Sequence, residues 1–262
     1  MDKLRLIDTF SGIGGFSYAA EKLVGGFKTV AFVECEPFCQ KVLKKHWPDV
    51  PIYEDIKSYR PEPYSAEVIC GGFPCQSISN NGRREGITTT SESGLWFELY
   101  RVILQLRPRY VVLENVAAIL NNGIGIVLGQ MAQAGFDCEY ACIPASFVGA
   151  AHERDRWFCV CFRRDAANAN GLNVEGGRKE GEQIKPKFCK ERLFSWSYKR
   201  NMLSPKWRSY ISEPVILRRT NGATSGVDRT KRLKSLGNSI VPQVAAIPLQ
   251  RVLDLHNVTT CK

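Results

Sequence analysis

The strongest constraint on the fold is a unit that recurs through the first 162 residues. A short apolar run is followed by a turn carrying glycine or a carboxylate, then by a stretch of helical periodicity. Apolar runs separated by amphipathic helices are the pattern of a parallel α/β sheet. Residues 4–8 predict the first strand and residues 16–24 the first helix, with a glycine-rich turn between them. Residues 29–34 predict a second strand and residues 37–46 a second helix, whose proline sits near the first turn, where its missing N–H is tolerated. Residues 67–71 and 110–114 predict two further buried strands. Between them, residues 95–106 carry apolar side chains at 95, 96, 99, 102, 103 and 106, which is one face of a helix. A helix over 124–134 and a strand over 157–162 complete the series.

After residue 162 the texture changes. Residues 1–162 carry 16 Lys+Arg against 18 Asp+Glu, a balance of −2, whereas residues 163–235 carry 18 against 7, a balance of +11. Residues 236–262 add +1, giving the +10 of the whole chain. Phe188, Phe194, Trp196 and Tyr198 are interleaved with the charges, so the middle stretch reads as a small, loop-rich basic domain and not as wholly disordered chain. From Leu236 globular patterning returns, and residues 239–255 predict a mostly helical segment despite Pro242 and Pro248. The expected organisation is a first domain over 1–162, a basic insert over 163–235, and a C-terminal segment over 236–262 that rejoins the first domain. A basic stretch of this size suits a polyanion, nucleic acid being the usual partner, or serves only as a solubilising surface.

No run approaches the roughly 18 apolar residues that span a bilayer. Met1-Asp2-Lys3-Leu4 leads straight into a strand without a charged-then-apolar leader, so the expectation is an intracellular chain. Of the ten cysteines, Cys70, Cys159 and Cys161 sit inside apolar runs, where the residue acts as a small hydrophobe. Cys35/Cys39 and Cys138/Cys142 are four apart with no histidine nearby, and no Cys-x-x-Cys pair exists. On that spacing no metal site is expected.

Six segments carry chemistry. Asp8-Thr9-Phe10-Ser11-Gly12-Ile13-Gly14-Gly15 is a glycine turn between strand and helix, open to dinucleotides, to other adenosyl ligands or to tight packing alone. It lacks the Gly-x-Gly-x-x-Gly spacing of a dinucleotide oxidoreductase. Glu34 ends the second strand, where a carboxylate accepts from ribose hydroxyls, and Asp55 is a further acidic group within reach of an adenine amine. Gly71-Gly72-Phe73-Pro74-Cys75-Gln76 follows a strand and presents a cysteine on a stiffened loop. Glu114-Asn115-Val116 follows another strand, Arg154-Asp155-Arg156 precedes the strand at 157–162, and Gly237-Asn238-Ser239 opens the last segment.

The order and spacing of these segments resemble the DNA cytosine-C5 methyltransferase family over residues 4–162 and 236–255. The resemblance implies a Rossmann-like S-adenosylmethionine-dependent methyltransferase domain with a small basic target recognition insert. Such a chain is expected to act on double-stranded DNA in the cytoplasm as a monomer. The family's cofactor pocket maps onto Asp8, Phe10, Gly12, Gly14, Gly15, Glu34, Asp55, Ile56, Pro74, Leu95 and Asn238. Its nucleophile maps onto Cys75, its base-binding carboxylate onto Glu114, and its arginine pair onto Arg154 and Arg156. The sequence departs from the usual pattern at Ile78, Asn80-Asn81 and Ala151-His152-Glu153, none of which carries a chemical role. A branch of the family that modifies transfer RNA has Cys-Phe-Thr in the insert; here Cys189 is followed by Lys190-Glu191, which favours DNA. Arg218, Arg219, Thr220, Asn221 and Gly222 are the base-reading candidates by side-chain type.

Overall fold

The structure is a computed structural model that describes residues 2–74, 94–150, 152, 154–163, 235 and 238–260. Cys75 and the basic stretch 164–234, with Arg218, Arg219, Thr220, Asn221 and Gly222, lie outside the described residues. Seven strands form one sheet: β1 (Leu4–Thr9), β2 (Phe27–Val33), β3 (Ile52–Tyr53), β4 (Val68–Gly72), β5 (Tyr110–Val116), β6 (Phe136–Ile143) and β7 (Arg156–Arg163). Their spatial order is β3-β2-β1-β4-β5-β7-β6. The chain leaves β1 towards one edge, then returns to β4 and continues towards the other. A switch point therefore lies between β1 and β4, and in open α/β sheets the crevice at the carboxyl ends of such strands is where ligands bind.

Strands β1 to β5 pair in parallel, as the apolar runs predict. The strand at the end of the series departs from that direction, because β7 pairs antiparallel with both β5 and β6. Strand β6 follows a helix crossover and β7 then runs back between β5 and β6. Neither β6 nor the two-residue β3 was legible as a strand. In β6 the polar Asp137 and Glu139 alternate with Cys138 and Tyr140, and most of the strand is only half-buried, so no apolar run announces it.

The helices are α1 (Gly15–Tyr18), α2 (Pro37–His46), α3 (Leu95–Leu106), α4 (Ile119–Asn122), α5 (Ile124–Gln133) and α6 (Pro242–Thr260). The expected first helix is present but widens into π-helical turns over Ala19–Val24, and Gly25 and Gly26 end it with φ of 79° and 77°. The sheet is covered on both faces. On one side Val111 and Leu113 pack with Leu99, Val102 and Ile103 of α3 and with Val127 and Met131 of α5. On the other, Tyr110 and Val112 pack with Phe16, Ala19 and Ala20 and with Val244, Ala245 and Leu249 of α6. This alternation along β5 buries both faces of the strand, which is why it reads as a continuous apolar run. Pro248 lies inside α6. A proline there costs about 3 kcal/mol, offset here by the buried Ile247, Leu249 and Val252. No helix among the described residues is long and apolar enough to cross a membrane.

Candidate active site

The β1 side of the switch point is built on backbone geometry. Past Thr9 the chain enters a tight turn in which Phe10, Gly12 and Gly14 have φ of 52°, 54° and 86°. That left-handed region is open to glycine and costly for phenylalanine, so Phe10 is strained there. The glycines also make room: a Cβ on Gly14 would stand 2.7 Å from the Trp47 ring, and one on Gly15 would collide with Ile240. At Gly12 a Cβ would meet nothing within 4 Å, so this corner of the turn faces open space.

Glu34 stands one residue past β2 beside that opening. Its Oε2 accepts from the Gly12 amide at 2.6 Å and its Oε1 from the Glu36 amide at 2.8 Å. Burial pushes its carboxyl above the usual range, opposed by these amides. A carboxylate at the rim of an open glycine turn, at the carboxyl ends of parallel strands, fits the ribose of an adenosyl ligand. Asp8 has a different setting. It is fully buried, and its Oδ2 accepts from the amide and hydroxyl of Ser17 at 3.2 and 2.7 Å. Among the described residues its Oδ1 has no hydrogen-bond partner. Burial pushes its carboxyl up to about 7, with Ser17 opposing and the charges of Glu34 and Glu21 adding. Asp8 thus anchors the start of the first helix from behind the turn.

Of the other expected pocket residues, Asp55 and Ile56 follow β3, Pro74 follows β4, Leu95 opens α3 and Asn238 precedes α6. Asp55 is exposed and accepts from the Lys57 amide at 2.9 Å, while Ile56 is buried and its carbonyl accepts from Arg101 at 2.7 Å. Pro74 and Leu95 are half-buried, and Asn238 is exposed.

The β5 side is built on charge. Glu114 lies in register with Gly72 of β4 and Phe158 of β7. A Cβ on Gly72 would stand 2.9 Å from Glu114 Oε2, so glycine there leaves the carboxylate its place. Arg156 Nε lies 2.9 Å from Glu114 Oε1, with the two side chains 22% and 16% exposed. Burial pushes the Glu114 carboxyl up, while Arg156 and then Arg154 pull it down; the balance is upward. Arg154, at φ 27°, donates to the Ser239 carbonyl at 3.1 Å and so ties the last segment to the loop before β7.

Two supports lie in the quoted segments but carried no assigned role in the sequence. Asn115 is 2% exposed and donates to the Phe73 carbonyl at 3.2 Å, holding the chain two residues before Cys75. An asparagine inside an apolar strand was the available signal, since a buried amide needs partners. Thr9 Oγ1 donates to the Cys70 carbonyl at 2.7 Å, and a Cβ on Gly71 would come 2.7 Å from the same hydroxyl.

Comparison with known proteins bears on the family and the fold. The family model described as C-5 cytosine-specific DNA methylase matches residues 4–239. Type II methyltransferase M.CviJI of Paramecium bursaria Chlorella virus IL3A is 34% identical over 164 residues, covering 62% of this chain and 44% of that protein. Type II methyltransferase M.HhaI of Haemophilus parahaemolyticus is 28% identical over 166 residues, covering 62% of this chain and 50% of the other. The chain spans about half the length of these relatives. Among solved structures, the S. pombe Dnmt2 methyltransferase has a similar fold, with a TM-score of 0.63 at 15% identity over 97% of this chain and 100% of that one.

Proposed function

The chain belongs to the C-5 cytosine-specific DNA methylase family, and from that premise we propose that it transfers a methyl group from S-adenosylmethionine to C5 of a cytosine in double-stranded DNA. The observation that carries this reading is the Glu114–Arg156 pair beside Gly72, three residues before Cys75 and across the switch point from the glycine turn and Glu34. Gly12, Gly14 and Glu34 hold the adenosyl part of the cofactor, which supplies an electrophilic methyl group when bound.

The remaining chemistry belongs to the chain. C5 of cytosine is a poor nucleophile until a thiolate adds to C6, which breaks the C5–C6 double bond and places electron density on C5. Cys75 suits this step because a thiolate attacks strongly and leaves readily. Glu114 engages N3 and the exocyclic amine. A carboxyl whose affinity for a proton is raised by burial can share one with the ring as charge develops during attack. Arg156 orients Glu114 and holds the O2 side of the base. Once C5 carries the methyl group, its proton leaves to a base and the Cys75–C6 bond breaks, restoring the ring.

None of this is possible inside a stacked duplex, so the cytosine must swing out, at a cost of roughly a few kcal/mol. Residues 163–235, with their balance of +11, are the proposed recognition domain. They offset that cost through phosphate contacts and read a short target through base edges.

Trapping with 5-fluorocytosine tests the reading. Addition and methylation proceed, but the last step would need loss of F⁺, so the protein should stay bonded to duplex DNA through Cys75, and only with S-adenosylmethionine present. Peptide mapping should place the link at Cys75, and Cys75→Ser should lose it. An active enzyme that forms no adduct, or forms it only with RNA, overturns the proposal.

A further inference from the structure

The β6–β7 pair carries a cluster that the proposed reaction does not use. Cys138 on β6 stands directly across from Cys161 on β7, and Cys159 is two residues along β7, hence on the same face of the sheet. The sulfurs converge there. Cys138 Sγ lies 3.0 Å from Cys161 Sγ, Cys159 Sγ lies 3.5 Å from Cys161 Sγ, and all three are within 4.8 Å of one another. Cys159 and Cys161 are fully buried and Cys138 is half-buried, so Cys138 is the member of the cluster nearest to solvent.

Simple packing does not account for this convergence. Even carbon atoms, smaller than sulfur, prefer separations of about 3.5 Å or more. Two donors at i and i+2 of one strand and a third directly across on its antiparallel neighbour make a tripod of side chains on one face. A cation bonded to three sulfurs at about 2.3 Å requires them to lie about 4 Å apart. The separations here run from 3.0 Å to no more than 4.8 Å, so small side-chain rotations suffice. The donor set is entirely soft, and among the described residues no histidine or carboxylate joins it. Such a set selects zinc or cuprous copper over harder cations. Three sulfurs complete a trigonal cuprous site. For zinc they leave a fourth position for a small outside ligand, which would approach on the side of the half-buried Cys138.

We propose that Cys138, Cys159 and Cys161 bind one thiophilic d10 cation, zinc or cuprous. Bound there, the cation staples β6 to β7, the strand whose first residue is Arg156.

The test uses the full chain, reduced and freed of metal, titrated separately with zinc and with cuprous ion against chromophoric competing chelators, and with cadmium as a spectroscopic probe. One equivalent should bind, with a sulfur-to-cadmium charge-transfer absorption of three-thiolate intensity; the two physiological arms identify the preferred cation. Cys138→Ser should weaken binding by at least about tenfold, a loss no smaller than that of an outer-shell partner. Cys142→Ser, an exposed position on the same strand face, should leave it unchanged. In the wild-type protein, bound cation should protect Cys138 but not Cys142 from alkylation, a readout that does not depend on a variant folding. Failure of the folded protein to bind in both arms, or binding that leaves Cys138 as reactive as before, overturns the proposal.

Discussion

On the β1–β2 side of the sheet Glu34 rests on the backbone amides of Gly12 and Glu36, at 2.6 and 2.8 Å, whereas on the β5 side Glu114 faces the Arg156 guanidinium at 2.9 Å. Both carboxyls are pushed up by burial, so the difference lies in what opposes it. Amides are neutral and fixed by the turn; they hold a carboxylate in one place, which suits a cofactor that enters and leaves unchanged in its adenosyl part. A guanidinium is a mobile charge on a long side chain, and its partner's protonation responds to what arrives. Under the proposed function the first arrangement serves binding and the second a transition state, and four substitutions test that division.

The largest effect is expected on the β5 side. Glu114→Gln keeps the shape but removes the acidic proton and the charge, so turnover should fall on the order of 10²–10³-fold. Cofactor affinity should stay near wild type, since the loss lies in the transition state. Single-turnover methylation and a cofactor titration measure the two independently, and equal losses in both would erase the contrast. Gly72→Ala probes the same carboxylate without touching its chemistry. The added methyl, built 2.9 Å from Glu114 Oε2, should displace the carboxylate and cost roughly 10²-fold in turnover. Turnover like wild type would mean that the position of the carboxylate is not critical.

Smaller effects belong to the β1–β2 side. Glu34→Gln should weaken S-adenosylmethionine binding by about tenfold, the scale of one charged hydrogen bond, with turnover at saturation little changed. Calorimetric titration against saturated rates reads this, and a fall in saturated turnover as large as that of Glu114→Gln would place both carboxylates in one role. Asp8→Asn should leave turnover nearly intact and show itself in stability alone. The folded protein holds the Asp8 proton up to about 7, whereas the unfolded chain releases it near 3.8. Stability from this group is therefore full below 3.8, falls as pH rises through the window to about 7, and is level above it. Asparagine removes that decline, which is worth a few degrees of melting temperature per pH unit. Parallel melting profiles for wild type and variant between pH 5 and 7 would mean that the buried carboxyl does not titrate there.

Legibility followed the range of the forces involved. The helices at 37–46 and 95–106 match their expected bounds because apolar periodicity and a helix-starting proline are local signals. The glycine turn and Glu34 just past buried strands, and Glu114 near the end of one, were readable as positions because the apolar runs beside them are local signals. Asp8 was expected in the cofactor pocket and lies buried behind the turn, because its burial comes from the packing of the first helix. The cysteine cluster is hidden in the sequence because it lacks the loop form of metal spacing, Cys-x-x-Cys. On a strand the corresponding spacing is Cys-x-Cys with a partner across the ladder, and Cys138 is 21 residues before Cys159.

The sequence by itself determined an α/β chain with a glycine turn after its first strand, acidic residues at two strand ends, and a basic stretch beginning near residue 163. Only the tertiary structure decided that β7 runs antiparallel between β5 and β6. That direction brings the start of β7 to the carboxyl end of β5, in register Val116 to Arg156, and so sets Arg156 against Glu114. Had β7 been parallel, its first residue would lie at the amino end of β5 instead. Tertiary structure also decided that Ile240 closes on Gly15, Arg154 on Ser239 and Asn115 on Phe73. The physical reason is that a strand's side-chain period declares which residues share a face, while its partner, direction and register depend on contacts with segments far away in the chain.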